Sequence, residues 1–163
     1  MENPICNRKF ISVCCAGSPS EQEQSLAYKV GKEIAIRCAV LVCGGLGGSM
    51  ESACKGAKDN GGLTIGILPT YDKGSANKWI DIIIPTGLGH ARNNLVVATG
   101  DGVIGVGGSW GTLSELAIAM KMEKPVVVLG GWKASTGEIP DPGFLQADSA
   151  SEAVSMVLER ISC

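Results

Sequence analysis

Short apolar runs rich in β-branched residues alternate along the chain with longer runs whose apolar residues recur at spacings of three and four. The first pattern suits strands covered on both faces, the second amphipathic helices. The runs at 10–15, 39–43, 63–68, 80–85, 102–106 and 125–129 read as six strands. Helices are predicted over 21–38, from the glycine loop at 44–48 to about 60, over 88–99, from Thr112 to about 123, and over 151–161. Leu88, Ala91, Leu95 and Ala98 share a face of the third; Asp148, Ser149 or Ser151 caps the last. Segments 71–78 and 132–144 read as irregular loops. The alternation implies a doubly wound parallel sheet in a three-layer α/β/α arrangement, one domain over 1–163.

Composition sharpens this picture at one point. Gly supplies 23 of 163 residues, about twice the usual level. The glycines have no triplet period and Pro numbers only 7, so collagen and Pro-rich disorder are excluded. A hydrophobic fraction of 45% is too high for a disordered chain. Net charge is −2 with the signs interspersed, and no basic stripe marks a nucleic-acid surface. No apolar run reaches the ~18 residues of a membrane span, and the N-terminus has no apolar signal core. The expected setting is therefore the cytoplasm. The seven Cys are odd in number, lack a C-x-x-C pair and mostly sit in apolar runs, as buried residues of a reduced protein do. His90 is the only His, which leaves little for a His-based zinc site or a catalytic triad, and no structural metal is expected.

Seven glycines fall in two five-residue loops, 44–48 and 107–111, each after a strand and before a helix. Glycine lets a backbone come close to a ligand, and the following helix presents free N–H groups and a positive dipole end. Two such loops at the carboxyl edge of a parallel sheet suit an anionic, phosphorylated ligand; the plainer reading is that Gly makes tight turns. The candidate ligand set is Gly44, Gly45, Gly47, Gly48, Ser49 and Met50 in the first loop, and Gly107, Gly108, Ser109, Trp110, Gly111 and Thr112 in the second. Gly17 and Ser18, after the first strand, and Arg92 and Asn93 join it at the same edge. Arg92 either binds phosphate or forms a salt bridge. Thr112 and Glu115 fit a T-x-x-E capping box, which competes with a ligand role for Glu115. Trp110 either covers a ligand or packs on a neighbouring helix. His90 reads as a surface or packing residue. The dinucleotide fingerprint fails at Met50, and no phosphate-binding G-x-x-x-x-G-K-[ST] occurs.

Three segments carry a resemblance: Cys-Gly-Gly-Leu-Gly-Gly-Ser-Met at 43–50, His-Ala-Arg-Asn at 90–93 and Gly-Gly-Ser-Trp-Gly-Thr-Leu-Ser-Glu at 107–115. Over roughly 10–130 the chain resembles the Rossmann-like family historically labelled lysine decarboxylase-like, which includes the Lonely Guy phosphoribohydrolases. Arg92 and Glu115 match that family's catalytic positions. Gly107, Ser109, Cys43 and Glu51 depart from the hydrolase pattern and resemble the shorter branch of molybdenum cofactor carriers, the algal type in particular. That resemblance implies binding, protection and transport of molybdenum cofactor, a phosphorylated molybdopterin. It also implies a homo-oligomer (dimer or tetramer) built near Arg92 and Thr112, molybdoenzymes as recipients, and no catalytic residue. The alternative it implies is a nucleoside 5′-monophosphate phosphoribohydrolase using Arg92 and Glu115. A plain nucleotide-binding module is a third reading.

Overall fold

A computed structural model describes residues 7–133 and 143–161. Seven strands form one sheet in the order β4-β3-β2-β1-β5-β6-β7, with every neighbouring pair parallel. They are β1 Phe10–Cys15, β2 Val40–Cys43, β3 Leu63–Leu68, β4 Ile82–Pro85, β5 Gly102–Gly107, β6 Val126–Gly131 and β7 Leu145–Ala147. The α-helices are α1 Glu21–Ile36, α2 Ser49–Lys58, α3 Asn93–Thr99, α4 Trp110–Lys121 and α5 Ala150–Arg160. This is the α/β fold the alternation predicts.

The two-residue period of β1 explains the layering. Ile11, Val13 and Cys15 point to one face, where Val30 and Ile34 of α1, Ala53 of α2 and Val154 of α5 cover them. Cys14 points to the other face, with Val96 of α3 and Leu116 of α4. Ser12 shares that face and is tolerated because its hydroxyl donates to the Val96 carbonyl at 2.6 Å. Outside the two loops, much of the glycine serves close packing. A Cβ on Gly31 would lie 1.9 Å from the Ala53 carbonyl oxygen, and one on Gly56 would lie 2.0 Å from that of Tyr28. These two positions let α1 and α2 cross backbone to backbone.

Several boundaries differ from the sequence expectation, each for a local reason. The first helix stops at Ile36 because Cys38 adopts φ 58°, a left-handed end. The fourth strand begins at Ile82 rather than 80. The Asp81 carboxylate there takes the Thr64 N–H at 2.9 Å, in place of a ladder acceptor. The helix expected over 88–99 is a 3-10 turn, Gly89–Arg92, followed by α3; Gly89 has φ 55°. β7 is an added strand. Ser149 caps α5, accepting from Glu152 N–H at 3.1 Å. Most of 132–144 lies outside the described residues.

Candidate functional site

The chain winds outward from β1 through β2, β3 and β4, then returns to place β5 on the other side of β1. The loops leaving β1, β2 and β5 therefore meet at the point where the winding reverses, the usual ligand crevice of such sheets. A cavity of about 220 Å³ opens there, lined by Gly17, Gly44, Met50, Arg92, Asn93, Ser109, Gly111 and Glu115 among others. A second hollow of about 300 Å³ continues it past Leu46, His90 and Arg92 to Pro69.

Arg92 is the charged centre of the cavity. It is 9% exposed, and its Nη1 stands 3.6 Å from Glu115 Oε1 and 3.2 Å from Asn93 Oδ1. Its Nε has no partner among the described residues. The guanidinium lies directly on Gly44, where a Cβ would be 2.5 Å from both terminal nitrogens. Asn93 is itself held by a bond from its Nδ2 to Ser114 Oγ of α4 at 3.0 Å.

Glu115 is 6% exposed. Burial pushes its carboxyl up to about 7, opposed by the Arg92 charge and a hydrogen bond with the Cys14 thiol. The expected capping box of Thr112 and Glu115 does not form. Ser109 caps α4, accepting from Thr112 N–H at 3.1 Å, because the helix starts at Trp110, two residues before the expected Thr112. Glu115 thus lies beyond the first turn and is free to face Arg92.

The first glycine loop leads into α2 with no side-chain cap at Gly48. Ser49 is fully buried and its hydroxyl is without a partner among the described residues. Gly45 (φ 74°) packs over Gly66, and Gly48 (φ 69°) sits against the Gly17 carbonyl, so neither lines the cavity. Gly47 and Ser18 are exposed outside it. In the second loop, Gly107 packs against Glu23, whose carboxylate also accepts the Gly108 N–H at 3.3 Å. Thr112 is buried behind Ser109. Trp110 is 79% exposed and meets Trp132, from the segment after β6, with ring centroids 5.2 Å apart and planes tilted by 49°.

The sequence pattern does not single out Asn77. Its Nδ2 reaches the Leu46 carbonyl at 2.9 Å and its N–H the Gly45 carbonyl at 2.9 Å, fixing the first loop from a segment that reads only as polar. Among the described residues no group of three or more His, Cys, Asp or Glu side chains is placed to hold a metal. No helix among them is long and apolar enough to cross a membrane.

A family model covers residues 8–157. The chain belongs to the SLOG cluster4 family. This SLOG cluster4 chain is similar to the molybdenum cofactor binding protein of Rippkaea orientalis, with 35% identity, TM-score 0.88, and 96% of this chain and 99% of that one covered. It is similar also to the molybdenum cofactor carrier protein of Chlamydomonas reinhardtii, with 33% identity, TM-score 0.81 and coverages of 94% and 100%. Among relatives by sequence, the cytokinin riboside 5′-monophosphate phosphoribohydrolase of Mycobacterium tuberculosis is 33% identical over 75% of this chain and 71% of its own length.

Proposed function

We propose that the protein binds molybdenum cofactor, protects it and carries it to molybdoenzymes, working as a homo-oligomer in the cytoplasm. The observation that carries this reading is Arg92: a buried guanidinium with an unpartnered Nε, facing a cavity at the reversal point of the sheet. The likeness to proteins described as binding or carrying that cofactor, over nearly the whole of each chain, supports it. In this reading Arg92 and the Gly44 backbone hold the phosphate, and the start of α4 at Ser109 and Gly111 faces the other anionic end. Gly17, Met50 and Asn93 shape the walls. Reconstitution with molybdenum cofactor followed by gel filtration tests it. Molybdenum and pterin are expected to co-elute with the protein and to be lost in Arg92→Ala; elution of the protein without either ends the reading.

The ion pair of Arg92 with Glu115 favours a second reading, a nucleoside 5′-monophosphate phosphoribohydrolase. A carboxyl near 7 exists in both protonation states at neutral pH and can take or give a proton beside a ribose. The likeness to the mycobacterial phosphoribohydrolase supports this reading. Incubation with AMP and cytokinin riboside monophosphates distinguishes the two: release of free base, abolished in Glu115→Gln, selects cleavage over carriage.

A further inference from the structure

Under the first glycine loop lies a pair of thiols that neither reading uses. Cys43 ends β2 and Cys54 lies in the second turn of α2, so the two flank the loop. Both are fully buried, with their sulfurs 3.5 Å apart. Gly45 N–H points at Cys43 Sγ at 3.3 Å. The Arg92 guanidinium lies on Gly44, the next residue along.

This setting separates the two thiols chemically. The Cys54 hydrogen bond, the Gly45 N–H and the Arg92 charge together draw the Cys43 thiol below its ordinary value despite burial. Cys54 moves the other way, because its proton is committed to Cys43. Cys14 and Cys15 are both raised, chiefly by burial, and Glu115 adds to this. The Gly45 N–H on its sulfur and the Arg92 guanidinium on the next residue mark Cys43 as the candidate nucleophile, with Cys54 placed to resolve it. The 220 Å³ cavity stops one residue short of the pair: Gly44, next to Cys43, lines it, so a small oxidant reaches the thiols when the first loop moves aside.

We propose that Cys43 and Cys54 form a peroxide-responsive dithiol whose disulfide remodels the loop at the entrance of α2. The Cys43 thiolate attacks hydrogen peroxide and takes one oxygen as a sulfenic acid, while the other oxygen leaves as hydroxide and picks up a proton. Cys54 then attacks that sulfur, the S–S bond forms and water is released. Two thiols and one peroxide become one disulfide and two waters. Closing the gap draws the second turn of α2 toward the end of β2 and leaves the Gly45 N–H facing a disulfide sulfur, a weaker acceptor. The proposal stands whether the cavity carries its ligand or cleaves it.

The test treats the reduced full-length protein with a few equivalents of hydrogen peroxide, then alkylates it with N-ethylmaleimide in denaturant. Proteolysis after Glu51 separates Cys43 from Cys54 for mass spectrometry. The expected product is the two peptides joined and two hydrogens lighter, neither sulfur alkylated, with the exposed Cys38 still alkylated. In Cys54→Ala, Cys43 is expected to persist as a sulfenic acid trapped by dimedone; in Cys43→Ala, Cys54 is expected to stay a free thiol. The Gly45 amide resonance is expected to move on oxidation of the natural sequence and to stay in place in Cys43→Ala. Full alkylation of both thiols after peroxide, a link from Cys43 to Cys15 instead, or dimedone on Cys54 would each overturn the proposal.

Discussion

Replacing Glu115 by Gln changes how stability depends on pH, by an amount the site geometry sets. An isolated glutamate ionises near 4.5, and in the folded protein Glu115 does so near 7. The folded state therefore holds this proton more tightly than the unfolded state, and stability falls as pH rises between the two values. At 1.36 kcal/mol per unit, the loss is about 0.8 kcal/mol at pH 5, about 2 at pH 6 and about 3 at pH 7 to 8. The Glu115 side chain is 8% exposed, so solvent screening removes little of this. Glu115→Gln has no such proton to lose. The pull of Arg92 on the ionised carboxylate is already contained in the value near 7, and exchanging a neutral carboxyl for an amide changes stability by a roughly pH-independent amount, so the informative quantity is the change in the difference between the two proteins. Between pH 5 and pH 8 the variant is expected to gain about 2.5 kcal/mol relative to the natural sequence. Urea denaturation at four pH values measures it. Parallel stability profiles for the two proteins would refute the reasoning and place Glu115 in contact with water.

Gly44→Ala is expected to push the Arg92 guanidinium off its seat, because the new methyl would stand 2.5 Å from two of its nitrogens. Under the carrier proposal, equilibrium binding of molybdenum cofactor should show at least about a tenfold loss of affinity, or about 1.4 kcal/mol. Gly31→Ala and Gly56→Ala each force a methyl onto a backbone carbonyl at the α1–α2 crossing. Each should lower unfolding free energy in urea by about 1–3 kcal/mol while leaving the cavity residues unchanged. Ser109→Ala removes the cap of α4 and should cost about 1 kcal/mol in the same assay. The matching change at Thr112, which is not the cap, should leave the Ser109 bond to the helix start in place, as amide exchange of the first turn would report.

The alternation of apolar runs carries most of the fold, because strands covered on both faces need near-continuous apolar residues. β7 escapes that pattern: it has three residues, only Ala147 is buried, and it holds the sheet edge by pairing with β6 alone. The break at Gly89 is equally invisible to a spacing argument, since Leu88, Ala91, Leu95 and Ala98 keep helical intervals across it. Residue type and an expected place at the carboxyl edge of the sheet single out Arg92, Asn93 and Gly44, and the fold brings the three to one cavity. They were not enough for the cap of α4, where Ser109 and Thr112 are both good capping residues and the start of the helix decides between them. Asn77 and Glu23 act across 31 and 85 residues of sequence, through bonds to Leu46 and Gly108. No local pattern contains such pairings; they exist only once the loops are folded together.

The central seam of the sheet bears on how the molecule comes to exist at all. β1 can meet β2 early, and β3 then adds to β2, within a short stretch of chain, but the other edge of β1 waits for β5, with Ile11 pairing to Gly102. Distant pairings of this kind close late, because a long loop must be ordered before the contact rewards it. Until then β1 has an open, apolar edge, the sort of surface on which folding intermediates aggregate. The cavity straddles that same seam, so it is complete only once β5 has docked on β1. A ligand seated there binds only the zipped chain and draws the population toward it by mass action. If the cavity takes the ligand proposed above, its supply governs the yield of folded protein as well as its occupancy.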